Sequence, residues 1–233
     1  MRAISIQRSV VHFLDHLEAT EAALAAHPDT KALAAPFTEA IGEFEGIFSK
    51  ERAARRAVTR AQAVLTVGDT LLDIDTTRFG GYALVEAGQD RANPSFRQLF
   101  PKAPSQLIRW NLRKQCEHTL HVIVPLLAKL DAASLLKPFA VVLEGRAQAV
   151  LAALDARTKA RAALSSVSVE VEEWKDGVNR LRLSTYAELL KVAAEKKYPR
   201  SFADAFFLSE SRTTLDEEPV EPPAPVEPIE PVA

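Results

Sequence analysis

Two stretches a hundred residues apart, NPSFRQLF at 93–100 and YPRSFADAFF at 198–207, place the same residue types at the same spacing. Ser95, Phe96 and Phe100 fall on Ser201, Phe202 and Phe206, with Pro94 and Pro199 one residue out of step. Repetition constrains a fold more tightly than composition does, because whatever one copy forms the other must be able to form too. Further matches keep the same order. DTKALAAPF at 29–37 lies without a gap on DAASLLKPF at 131–139, Ala54-Arg55 on Ala156-Arg157, His16 on His118, and Tyr82-Ala83 on Tyr186-Ala187. The offset drifts only from 102 to 106 along the series. The chain therefore reads as an internal duplication of about 100 residues.

Each copy carries the same parts. A first helix is expected over Ser5 to Ala26, and its counterpart over Ser105 to Leu130, with Pro104 suited to its start. A short turn leads to Pro36-Phe37 or Pro138-Phe139, where proline closes one helix and opens the next. A long helix follows, Pro36 to Arg78 in the first copy, ended by Gly80-Gly81. In the second copy it runs from Pro138 to at least Lys175, with a bend at Gly177 and a further helix from Arg182 to Lys197. The closing motif then forms a helical turn capped by Ser95 or Ser201, with its two phenylalanines at i and i+4 on one face. Two buried rings contribute roughly 1.5 to 3 kcal/mol each, enough to clasp a chain end onto the helices.

Composition agrees with helix. Alanine and leucine recur throughout, and only eight glycines occur in 233 residues. SVSVEVEEW, 166–174, alternates like a strand, but a lone strand has no partner, so it is read as helix. The hydrophobic fraction of 47% supports a sizeable core. The most apolar run, HVIVPLLAKL, is too short to span a bilayer, and Gln7 and Arg8 break any leader-like stretch at the start. A cytoplasmic location is expected.

Candidate chemistry is sparse. Cys116 is the only cysteine, so neither an intrachain disulfide nor a thiolate cluster can form, and His118 at i+2 points to another helix face. His12 and His16, and His118 and His121, sit at i, i+4 and i, i+3 on the two equivalent first helices. Such pairs can build a metal site between helices. Both pairs lie off the apolar stripes, however, and paired Glu-x-x-His motifs are missing, so solvated histidines are expected. Lys50, Arg52, Arg55, Arg56 and Arg60 form a basic run with a weaker counterpart in Arg157, Lys159 and Arg161. Without interleaved aromatics this is a solvated helix face, and nucleic acid is not favoured. Asp69, Asp73 and Asp75 do not have calcium-loop spacing and are read as acids on an exposed face. No phosphate loop or nucleophile motif occurs.

After Leu215 the composition changes. DEEPVEPPAPVEPIEPVA carries six prolines, six acids and no base, a composition expected to stay disordered and extended. It serves either as a solubilising tail or as a short docking motif through Val220, Val226, Ile229 and Val232. The expectation is thus an all-α, elongated antiparallel helical bundle of two tandem duplicated units, 1–101 and 102–215, packed as one bundle, with a disordered acidic proline-rich tail, 216–233. Its expected role is that of a non-enzymatic scaffold or adaptor that self-associates or binds a protein partner. No catalytic residue, cofactor or metal is assigned. The alternative is a metal-binding bundle or enzyme using His12, His16, His118 and His121.

Overall fold

The computed structural model describes residues 3–208; the acidic proline-rich tail lies outside them. Every regular element among the described residues is helical. In chain order these are α1 (Val10–Ala26), a 3-10 turn (Lys31–Leu33), α2 (Ala35–Glu86), α3 (Pro94–Leu99), α4 (Pro104–Leu107), α5 (Leu112–His118), a π turn (Thr119–Ile123), α6 (Val124–Ala128), α7 (Phe139–Lys196) and α8 (Ser201–Asp204). The alternating stretch 166–174 is helix within α7, as expected.

Several boundaries differ from expectation for identifiable reasons. Ser9 caps α1 by accepting from the His12 backbone N–H, which shortens the helix expected from Ser5. α2 runs through Gly80-Gly81 instead of stopping there. A methyl group on Gly80 would stand 2.6 Å from Pro104 Cγ, so this glycine permits close packing and does not end the helix. α7 likewise continues through Gly177 without a break. The helix expected over Ser105 to Leu130 is instead interrupted. Asn111 caps α5 by accepting from Arg113 N–H, and Pro125 has no donor for the helical ladder. The π turn before it takes up the strain, with Val124 N–H donating five residues back to Thr119 O. The clasp turns are not serine-capped: Asn93 caps α3 with Pro94 at its first position, and Ser95 donates its hydroxyl to Asn93 Oδ1.

The chain separates into two compact units. The terminal unit combines the described parts of Met1–Ile41 and Asp176–Ala233; the central unit is Gly42–Lys175. These units cut across the expected copies, 1–101 and 102–215. Each takes a first helix from one of those segments, and the end of a long helix with its clasp turn from the other.

The central unit has an apolar core built on Leu65, Leu72, Phe79, Phe100, Leu127 and Leu143. Phe96 and Phe100 are both buried with centroids 5.3 Å apart, and Phe100 meets Phe79 at 5.1 Å. The terminal unit buries Phe13, Leu17, Leu24, Phe37 and Leu189, but also Arg182, His16, Thr20 and Thr185. Arg182 is 1% exposed, with a guanidinium nitrogen 3.5 Å from His16 Nδ1 and its plane over Phe207 at 5.5 Å. Asn179 joins the chain start by accepting from Ile4 N–H and donating to Ile4 O, both at 2.9 Å.

Candidate interaction surfaces

The histidines do not behave as a solvated set. His16 is 3% exposed, because it shares the inward face of α1 with Phe13, Leu17, Thr20 and Leu24. His12 is half-buried and meets the His16 ring edge-on at 4.8 Å. His118 is half-buried against Trp110, at 5.3 Å, and only His121 of the four is exposed. Desolvation pushes the His118 imidazole below its ordinary range, opposed by a hydrogen bond with the Leu99 backbone and assisted by Lys114. The helical face of His16 was readable from the i, i+3, i+4 pattern around it; the buried arginine it faces was not.

His12 and His16 belong to the terminal unit, and His118 and His121 to the central one. Among the described residues, no three His, Cys, Asp or Glu side chains gather as a metal site requires. Cys116 is fully buried, and burial raises its thiol to about 11, so it is an unreactive core residue.

The three aspartates are also less exposed than expected. Asp75 is buried and accepts from Arg146 Nε at 2.9 Å, while Asp73 accepts from Gln115 Nε2 at 2.8 Å. Asp69 is half-buried, and desolvation followed by the neighbouring Asp73 charge raises its carboxyl. All three bind α2 to its neighbours or lie beside that contact. The basic run, by contrast, is a solvated face: Lys50 pairs with Glu170 at 2.8 Å and Arg55 with Glu51 at 2.7 Å, both exposed pairs of small energetic weight.

Another part of what α2 leaves open is apolar. Val64 and Val67 are 63% and 59% exposed, and Ile74, Tyr82 and Val85 are also exposed. Val64, Val67, half-buried Leu71 and Ile74 recur at three- and four-residue steps along one side of the helix; exposed Arg78 takes the next position, and Tyr82 and Val85 resume the side beyond it. The core side of the same helix carries Leu65, Leu72, Phe79 and Ala83, about a third of a turn away. The stripe extends past α2: Tyr82 packs on Phe139 at 5.4 Å, and Val142 one turn further along α7 is exposed. No helix of the described residues is long and apolar enough to cross a membrane.

No family model matches the chain, and no curated protein or solved structure does either.

Proposed function

We propose that this is a non-catalytic interaction scaffold, and that the open stripe on α2 is where a second copy of the chain packs. The observation that carries this reading is the series of exposed Val64, Val67 and Ile74 with half-buried Leu71, resumed at Tyr82 and Val85 beyond Arg78, whose heptad-like spacing is what two facing helices need to interlock. From Val64 to Val85 it covers roughly 30 Å of helical rise, long enough for a seam of standard interface size. Scattered exposed apolar residues need no explanation; a contiguous stripe on one helix does.

The scaffold is, in this reading, a duplicated one. Burial supports a common layout. Leu72, Thr76 and Ala83 of α2 and Ala87 just after it match Val178, Arg182, Leu189 and Ala193 of α7, all buried and all at the Phe96/Phe202 offset. On the first helices, Phe13 and Leu17 match Gln115 and Thr119; from the last residue of the π turn onward, Thr20 and Leu24 match Ile123 and Leu127 one residue later. A π turn is a one-residue insertion, so it accounts for that step. The Tyr82-Ala83 and Tyr186-Ala187 match does not share the register, since Ala83 is buried and Ala187 exposed.

Sedimentation equilibrium of the full chain tests the proposal. The wild type should show a concentration-dependent dimer, and the double variant Val67→Glu/Ile74→Glu a monomer with unchanged melting temperature. A monomeric wild type, or an equally dimeric variant, would overturn it.

A further inference from the structure

The two units differ where clasp meets first helix. In the terminal unit that place is filled by rings: Tyr198 lies 4.6 Å from Phe202 and 6.0 Å from His27, and its hydroxyl donates to Asp29 Oδ2 at 3.4 Å. Under the duplicated layout, on which this inference rests, Phe202 corresponds to Phe96 and, at the step set by the π turn, His27 to Leu130. Tyr198 falls on Ala92, which has no ring to offer. The central unit accordingly contains a cavity of about 340 Å³ between its clasp and α6, with Phe96, Leu99, Leu126 and Leu130 in its wall and Ser95 and Lys129 at its rim. Its size lies in the range of small-ligand sites, and its makeup, apolar wall with few polar groups, is theirs too.

We propose that this cavity binds a phenol ring. The ring would lie over Phe96 as Tyr198 lies over Phe202, and its hydroxyl would donate to Glu86, the carboxylate in the cavity lining. The sister unit shows the aromatic part of this chemistry, a planar face for the Phe96 side, and Glu86 adds an acidic acceptor for one donor. Free phenolic molecules and the tyrosine side chain of a protein partner both present this group.

Calorimetric titration of the full chain with 4-methylphenol, together with intermolecular NOEs, tests the site. The expected result is saturable binding with contacts from the ring to the Leu99, Leu126 and Leu130 methyls. 4-Methylanisole, which keeps the ring and loses the donor, should bind about fivefold more weakly. Ser95→Trp or Gln98→Trp, both exposed residues of the cavity lining, should block binding by at least about tenfold while leaving the circular dichroism unchanged. Tighter binding of acetyl-Gly-Tyr-Gly-amide than of 4-methylphenol would make the source a tyrosine segment; weaker binding would make it a small molecule. No saturable binding, NOEs only to residues elsewhere, or equal affinity for 4-methylanisole would overturn the proposal. None of these results bears on dimer formation through α2, which the sedimentation experiment tests separately.

Discussion

Under the proposed duplication, the terminal and central units use matching positions for different ends. Where α2 presents Thr76 to an apolar core, α7 presents Arg182, and the terminal unit surrounds it with His16 and the Phe207 ring. Where the terminal unit closes its clasp with Tyr198 and His27, the central unit has an open cavity. One layout therefore accommodates a polar, ring-filled interior and an apolar, partly empty one. The difference lies in a few side chains, because in both units the flanking apolar positions recur at the same helical steps.

The largest expected effect comes from breaking the polar interior. Arg182→Ala should destabilise the protein by about 3 kcal/mol, since it removes a large buried side chain and leaves its polar neighbours facing a void. The matching change in the central unit should act in the opposite direction. Thr76 is buried with no hydrogen-bond partner for its hydroxyl, so Thr76→Val should be neutral or stabilise by about 1 kcal/mol. Urea melts of both variants read the contrast.

Glycines sharpen it next. Gly80→Ala forces a methyl into the Pro104 ring and should cost about 1 to 3 kcal/mol despite alanine's better helix propensity. Gly177→Ala in the terminal unit meets nothing within 4 Å and should stabilise by about 0.5 to 1 kcal/mol. Equal effects in thermal melts would contradict the packing described for Gly80.

The helix ends differ in a similar way. α2 terminates with Gly88 at φ +67°, and Gln89 N–H donates back to Leu84 O. α7 ends with the same hydrogen bond, Tyr198 N–H to Ala193 O, but places Lys197 at φ +59°. Lys197→Gly should therefore stabilise by about 1 kcal/mol, read from the urea midpoint.

The smallest effect is electrostatic. Because His118 is held below its ordinary pKa when folded, the unfolded chain takes up the proton first. Its contribution is fully present above about pH 6.5 and is lost as the pH falls toward the depressed value. The urea midpoint should drop over that range, and His118→Gln should flatten the drop.

Much of this fold is legible in the sequence. The all-helical class, the two proline-led long helices and the buried clasp rings Phe96, Phe100 and Phe206 follow from spacing alone. Gly80 misled because a glycine can mark either a helix end or a close contact, and only the position of Pro104 decides which; Gly177 marks neither, since α7 runs through it and a methyl there would touch nothing. His16 was expected off the apolar stripe of α1 and Asp75 on an exposed face; the partners that hold them inside, Arg182 and Arg146, are 166 and 71 residues away in sequence. The α2 stripe and the cavity were hidden for another reason. Apolar residues in a helix read as core until the packing shows which of them nothing covers.

The claim that matters most is that this stripe faces a second copy. Val67→Cys in a Cys116→Ala background, treated with a short bismaleimide, tests it directly. The account predicts a covalent dimer from Val67→Cys and none from Thr66→Cys, exposed one residue away and about 100° around the helix. Equal crosslinking at both positions, or none at either, would contradict it.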